Sequence, residues 1–396
     1  MESSRKNRSL YIDQEAISAL ALVKAGLLNP VKGLMNSRET REVLQSGKID
    51  NKRFPFPFIL APSGKINQIV LEEATPGETL TLVSDGASIG SLIVDEIFDI
   101  DPKDRVQQLY GTTDPEHPGV KATCKRLGKY AVSGHYTLLN NPIEATKKII
   151  SKAKERANAK HITAVMMAAN PLHRAHERLV RQSLERTDLL IIFLLKPYNT
   201  SDLNFELRHE LTYYFINHFL PQNRVLIIPL EISYIFAGYN EVIIDAIVAK
   251  NYGCDRLMIG QNHAGVGMYY DRHSNKSIVD SLSDLGIEIT VTAEYVYCNE
   301  CKTLVSTQTC PHGQHHHISY HADSILELLK LGILPPAVLM RREISALILS
   351  RLFPDRFKNI EKLYHDIMPT AGLIEEQTER DFYIELMNLY QTSSLT

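Results

Sequence analysis

From His161 onward, short apolar runs alternate with amphipathic stretches of helical length, and this alternation constrains the possible fold more than any other feature of the chain. Continuous apolar strands are typical of parallel sheets that are buried on both faces. The pattern therefore predicts a doubly wound α/β domain, in which ligands bind beyond the carboxyl ends of the strands. The predicted strands are Ile162–Met167, Leu189–Leu195, Val225–Ile228, Leu257–Ile259 and Ile287–Val291, and the clearest helices are Glu206–Phe219 and Asn240–Asn251.

The 396 residues divide by pattern into four segments. Residues 1–155 are predicted to be β-rich, because short apolar stretches there are separated by Gly, Pro, Asp and Ser, which favour turns. Residues 156–295 carry the α/β alternation. Residues 296–352 contain a Cys/His-rich insert followed by helical patterns, and residues 353–396 have the amphipathic pattern of a helical extension.

Charge and hydropathy exclude several classes of protein. Lys and Arg number 43 against 46 Asp and Glu, so the formal net charge is −3 and the chain lacks the basic excess typical of nucleic-acid or membrane-surface proteins. No apolar run approaches the ~18 residues of a membrane span. Residues 1–9 are polar and contain no apolar core of a signal peptide. A cytoplasmic protein with no nucleic-acid or membrane partner is expected.

The segment after the first predicted strand carries the most informative motif. Asn170 is predicted to be a helix N-cap and Pro171 the first helical residue. His173 and His176, three residues apart, would then lie on one face of the first helical turn. The free N–H groups and the helix dipole favour phosphate there, and histidines can donate hydrogen bonds to it. The alternative interpretation is a solvated helix start that happens to contain two histidines.

Three of the five cysteines, Cys298, Cys301 and Cys310, fall within thirteen residues. In a long chain without secretory features, such clustering indicates a metal more than disulfides. Three thiolates need one further ligand for tetrahedral zinc. The histidines at positions 312, 315, 316 and 317 are all candidates. We favour His315, because three or more intervening residues let the chain turn back, and we expect a closed, structural Zn²⁺ site.

Several segments resemble one family. Asn170–Glu177, which reads Asn-Pro-Leu-His-Arg-Ala-His-Glu, is similar to the signature of the ATP sulfurylase (sulfate adenylyltransferase) family, one of the nucleotidyltransferases with histidines at a helix start. Tyr110–Val120, Lys250–Cys254, His263–Gly267 and Cys298–Gly313 resemble further family segments in the same order. The chain is identified as a divergent member of that family.

The resemblance implies a PUA-like β-rich N-terminal domain, a central nucleotidyltransferase α/β domain and a small zinc-containing C-terminal module with helices. It also implies that ATP and sulfate, with Mg²⁺, give adenosine 5′-phosphosulfate and pyrophosphate by direct attack of a sulfate oxygen on the α-phosphorus. ATP and a small anionic or polar acceptor, with sulfate favoured, are the implied partners, and a homo-oligomer is expected. The implied catalytic residues are Asn170, His173 and His176; these three and Gly260, His263, Ala264 and Gly265 are the implied nucleotide-binding residues.

The sequence departs from the family pattern at cationic positions. Arginines of the family are replaced at Ala169, Ile235, Asn240, Gln261 and Ser324, although His173, His176, His263 and Gly265 are kept. The phosphate-covering loop, at Pro197–Asp202, is shorter and lacks its lysine.

Three explanations remain open for this loss of positive charge. Arg174, Lys196 and Arg208 could replace the missing cations in a working ATP sulfurylase. The enzyme could instead adenylylate a less anionic acceptor, held by the amides of Gln261 and Asn262. The chain could also be a non-catalytic relative that binds a nucleotide or a partner.

Overall fold

A computed structural model describes residues 8–196, 203–221, 223–231, 237–261, 263–265, 282–318, 321–354, 360–367 and 378–389. The described residues form two compact units. The first draws on residues 1–166, 186–198 and 228–292, and the second on residues 167–185, 199–227 and 293–396. One division between the units, after residue 292, lies near the sequence-based boundary at 295, and none lies near 352. The sequence-based domain boundaries near residues 155, 295 and 352 stay predictions.

The N-terminal part of the first unit is a mixed sheet with helices, which agrees with the expected β-rich domain. The sheet order is β1-β5-β6-β7-β4, with β1 parallel to β5 and the other pairs antiparallel. Leu10, Leu80, Leu82 and Leu92 are almost completely buried on it. The elements are β1 (Arg8–Tyr11), α1 (Gln14–Lys24), α2 (Ser37–Ser46), β2 (Lys48–Ile49), β3 (Lys52–Arg53), β4 (Leu60–Pro62), α3 (Lys65–Glu73), β5 (Thr79–Ser84), β6 (Ala87–Asp99), α4 (Pro102–Tyr110), α5 (Pro118–Arg126) and β7 (Leu127–Leu138).

The second sheet confirms the α/β prediction. Its order is β10-β9-β8-β11-β12, and β8, β11 and β12 run parallel. The order reverses between β8 and β11, and in sheets of this kind ligands bind beyond the carboxyl ends of the strands at such a reversal. Every predicted strand is present, and β10 continues two residues past Ile228. The elements are α6 (Ile143–Ala157), β8 (Ile162–Met167), α7 (Arg174–Leu184), β9 (Leu189–Leu195), α8 (Phe205–Phe219), β10 (Val225–Leu230), α9 (Tyr239–Asn251), β11 (Arg256–Ile259) and β12 (Glu288–Val291).

The second unit contains α7, α8, a small antiparallel sheet and four further helices. The sheet order is β14-β13-β15. Helix α11 packs against α8 and α13 and buries Ile344, Leu347 and Ile348. Among the described residues, no helix is long and apolar enough to cross a membrane. The elements are β13 (Tyr295–Cys298), β14 (Thr303–Ser306), β15 (His317–Ile318), α10 (Ala322–Lys330), α11 (Arg342–Leu352), α12 (Ile360–Ile367) and α13 (Glu379–Leu389).

Candidate nucleotide-binding segments and candidate metal centre

Helix α7 begins later than the sequence predicts. We expected Asn170 to be the N-cap and Pro171 the first helical residue, but the helix begins at Arg174 with His173 as the N-cap. The prediction is wrong because the Asn170 side chain has another partner: its Oδ1 accepts a hydrogen bond from the N–H of Leu203, at 3.3 Å. The two histidines are therefore the N-cap and the third helical residue.

His173 and His176 form a close pair at the start of α7. The N–H of His173 donates to Nδ1 of His176 at 3.3 Å, and the ring centroids are 3.9 Å apart. Burial lowers the pKa of His173 well below its ordinary value, and the neighbouring His176 lowers it further. Burial alone lowers the pKa of His176 to about 4. Both rings are thus neutral at pH 7, and His176, whose Nδ1 accepts, has its proton on Nε2.

These lowered pKa values predict a loss of stability in acid. In the unfolded chain a histidine has a pKa near ~6.5, so protonation below that pH favours unfolding until the folded-state pKa is reached. Between pH 7 and pH 5 the free energy of unfolding should fall by up to about 2 kcal/mol through His176 alone. Urea unfolding at both pH values would measure this. The His176→Asn variant should show a smaller fall, and an equal fall in both proteins would contradict the prediction.

A buried arginine supports the segment between β8 and α7. Arg208, on α8, is almost fully buried and donates to the carbonyl oxygens of Ala168, at 2.6 Å, and Leu203, at 3.1 Å. Ala169 has a φ of +49°, in the left-handed region, and is completely buried. Arg208 therefore fixes the backbone that leads to His173.

The other predicted segment, Gly260–Gly265, follows β11 in the first unit. His263, Ala264 and Gly265 form a 3-10 turn, and the carbonyl oxygen of Ala264 accepts from the N–H of Gly238 at 2.9 Å. Nε2 of His263 lies 2.6 Å from Oδ2 of Asp245 on α9, and both side chains are buried. Asp245 was not predicted from the sequence. Its signal was a single aspartate in an otherwise apolar stretch, Val242–Ala249.

The positions where family arginines are missing have other roles here. Ala169 is buried, and Nδ2 of Asn240 donates to the carbonyl oxygens of Gln108 and Leu109, both at 2.9 Å. Ser324 is exposed on α10. The predictions for the loop Pro197–Asp202 and for Ile235, Asn262, Val266 and Gly267 lie outside the described residues.

The three predicted cysteines do come together, with a different histidine from the one we favoured. Cys298, Cys301, Cys310 and His312 place their ligand atoms within 4.8 Å of one another. The cluster contains His312 in place of the favoured His315, which is exposed in the turn Gln314–His316 and whose ring is tilted against that of His316, with centroids 4.0 Å apart. His312 reaches the cluster although it lies only two residues after Cys310, because the chain bends at His312.

The distances in this cluster fit a tetrahedral zinc ion. Zn–S and Zn–N bonds of about 2.3 and 2.05 Å require S–S edges of about 3.8 Å and S–N edges of about 3.6 Å. The Sγ atoms of Cys301 and Cys310 are 3.8 Å apart, too far for a disulfide. Nδ1 of His312 lies 3.4, 3.3 and 3.6 Å from the sulfurs of Cys298, Cys301 and Cys310. The residues present therefore suit Zn²⁺.

The strand order of the five-stranded sheet is that of a doubly wound α/β domain, and the helix after β8 begins with a histidine pair. Models of known families agree with both halves of the chain: an ATP-sulfurylase domain matches residues 141–351 and a PUA-like domain matches residues 1–141. The chain therefore belongs to the ATP-sulfurylase family.

Several known proteins are similar to this chain over most of its length. The sulfate adenylyltransferase of Staphylothermus marinus is 30% identical over 358 residues, which cover 88% of this chain and 91% of that protein. That of Chloroflexus aurantiacus is 30% identical over 346 residues, 85% of this chain and 89% of that protein. A solved structure, the hexameric APS kinase from Thiobacillus denitrificans, shares the fold with a TM-score of 0.63 at 18% identity. The match covers 89% of this chain and 64% of that one.

Proposed function

We propose that the chain is a nucleotidyltransferase of the sulfate adenylyltransferase type, which joins ATP and sulfate to give adenosine 5′-phosphosulfate and pyrophosphate. A sulfate oxygen attacks the α-phosphorus of ATP, and the bond from that phosphorus to the bridging oxygen of the β-phosphate breaks. The observation that carries the proposal is the half-buried, neutral histidine pair at the start of α7. Family membership supports it.

The histidine pair is suited to bind phosphate oxygens. Because Nδ1 of His176 accepts from the N–H of His173, its Nε2–H is left to donate. Negative charge nearby favours imidazolium, so binding of a triphosphate would raise the pKa of both rings and strengthen these hydrogen bonds. The positive end of the α7 dipole acts in the same direction. Asn170 is proposed to position this segment through its bond to Leu203.

The segment Gly260–Gly265 is proposed to bind the nucleotide. Gly260 has open space at the position that a Cβ would occupy, so a ligand can approach its backbone. Asp245 holds His263 in one orientation through Nε2. Mg²⁺ is proposed to enter with ATP, because Mg²⁺ in such sites is bound largely by substrate phosphates and water.

A second candidate function is adenylyl transfer to a less anionic acceptor. The observation that favours it is that the remaining cations already have partners. Nη1 of Arg174 lies 3.2 Å from Glu177, Arg208 holds two carbonyl oxygens, and Nζ of Lys196 lies 3.5 Å from Glu231. A dianion without cationic partners is poorly stabilised in a partly buried site.

The test is the reverse reaction, formation of ATP from adenosine 5′-phosphosulfate and pyrophosphate with Mg²⁺. ATP formation establishes the sulfate adenylyltransferase activity. The second candidate would be favoured if the folded protein forms no ATP in this reaction but exchanges labelled pyrophosphate into ATP when other acceptors are supplied. Absence of both reactions would contradict both functions.

Asp245 is proposed to act through His263. Asp245→Asn replaces an acceptor by an amide that can present N–H to Nε2, which would favour the wrong tautomer of the ring. We expect kcat to fall by about 10–10²-fold, with KM for adenosine 5′-phosphosulfate changed less. If Asp245 acts through His263, adding Asp245→Asn to His263→Gln should cause no further loss. Independent, multiplicative losses would contradict this role.

The Cys/His cluster is proposed to hold one structural Zn²⁺, with Cys298, Cys301, Cys310 and His312 as ligands. All four tetrahedral positions would then be filled by protein, which is typical of structural sites. Such an ion would join the β13–β14 hairpin to the segment that precedes β15.

We also propose that identical chains associate with one another. Sedimentation equilibrium would measure this self-association.

A further inference from the structure

The second unit contains a cavity of about 330 Å³ that the proposed reaction does not use. Its walls are one face of α7, the start of strand β14 and the segment before α11. The lining residues are Arg174, Glu177, Arg178, Arg181, Thr303, Leu304, Ala337, Val338 and Arg341. The four residues from α7 follow the i, i+3, i+4, i+7 pattern and share one helix face. His176, two residues after Arg174, lies on a different face.

Positive charge dominates this cavity, since four guanidinium groups face one carboxylate. Glu177 is buried and bridges two of them: Oε2 lies 3.2 Å from Nη1 of Arg174, and Oε1 lies 2.8 Å from Nε of Arg341. Arg178 and Arg181 are exposed at the rim. Among the described residues neither of these two pairs with a carboxylate. The lining therefore has an excess of three positive charges.

Contacts in addition to ion pairs hold three of the four guanidinium groups in place. Arg341 lies over the ring of Phe219, with its Cζ 3.8 Å from the centroid. Nε of Arg174 donates to the carbonyl oxygen of Ala337 at 3.2 Å, and Nη2 of Arg181 donates to that of Phe219 at 2.8 Å. Fixed guanidinium groups lose little freedom on binding an anion and can bind phosphate or sulfate oxygens in pairs.

We infer that this cavity is a second anion site, which binds a compact molecule carrying two phosphate or sulfate groups. An excess of three positive charges attracts an anion that carries more than one charge, and two phosphate or sulfate groups supply it. The volume lies at the lower end of ligand pockets, which favours a small polyanion over a nucleotide triphosphate. An anion there competes with Glu177 for Arg174 and Arg341.

The experiment measures binding by isothermal titration calorimetry, with inorganic pyrophosphate in one arm and adenosine 3′,5′-bisphosphate in the other. The protein is the full chain carrying His173→Ala and His176→Ala, so that binding at the histidine pair is weakened. We expect about one site per chain, and we expect Arg178→Gln with Arg181→Gln to weaken it by at least about 10-fold. The matched control, Lys152→Gln with Arg156→Gln, removes the same charge from exposed positions on α6 and should change affinity less than about twofold.

The two arms identify the source of the phosphate groups, because the tighter probe indicates an inorganic or a nucleotide ligand. Affinity in the protein without the arginine substitutions should also fall steeply with added salt. Absence of binding, salt-independent binding, or equal loss in both arginine and control variants would overturn the inference. Failure of the proposed function is distinguishable: ATP formation would then be absent, while arginine-dependent binding of the probe would persist.

Discussion

Replacing His173 and His176 together by alanine is expected to lower the rate of ATP formation from adenosine 5′-phosphosulfate and pyrophosphate by at least about 10³-fold. Loss of one donor to a developing anion typically costs about 10²–10³ in rate, and the effects of two groups that act together are not additive. The effect should be larger here than in an arginine-rich site, because Arg174 and Arg208 already have protein partners. Steady-state kinetics of the purified variant would measure it.

A more specific variant separates the structural role of His176 from its chemical role. Asparagine can place an oxygen near the position of Nδ1 and accept from the N–H of His173, but it has no group at the position of Nε2. We therefore expect His176→Asn to be close to the wild type in stability and as inactive as His176→Ala. A matched control, His135→Ala with His161→Ala, removes two exposed histidines and should keep full activity. Activity of the asparagine variant within tenfold of the wild type would contradict the role of Nε2.

The sequence predicted the parts of the fold that depend on local pattern. Strands β8 and β9 match their predicted bounds residue for residue, because both are short, almost entirely apolar runs that are buried on both faces. The early helices of the first unit were not predicted. They are short, and several depend on caps from neighbouring residues, such as Asp101 at the start of α4. Such elements form through contacts with the sheet more than through their own periodicity.

The candidate site shows the same division between local and tertiary information. The spacing of His173 and His176 indicated a pair, but the start of α7 depends on a hydrogen bond from Leu203, which is 33 residues from Asn170. Asp245 could be noticed as a lone acid in an apolar stretch, yet only the fold places it against His263. Polar partners that are distant in sequence leave no periodic signal. Sequence pattern alone therefore does not predict the residues that hold a site's functional side chains in place.

Removal of His312 is the second change from which we expect a large effect. It should lower the zinc content of the protein and the stability of the region around β13. The purified protein should contain about one zinc per chain. After dialysis against a chelator, His312→Ala should retain almost none, because three remaining thiolates leave the fourth tetrahedral position to water and the site open to competition. Metal analysis by inductively coupled plasma mass spectrometry would measure the zinc content of each variant.

The matched control is His315→Ala, since His315 lies three residues away, is exposed and is not in the cluster. It should keep its zinc under the same dialysis.

The binding free energy of structural zinc is on the order of 10 kcal/mol and is coupled to folding. The zinc-free His312→Ala variant should therefore be cleaved by protease between residues 299 and 316 far faster than the control. In the cluster, Cys298 ends β13 and pairs in register with Thr303 of β14, while Cys310 and His312 lie beyond the hairpin. Loss of the ion would free that segment first. Equal zinc loss from both variants, or a wild-type protein without zinc, would contradict the assignment of His312 as the fourth ligand.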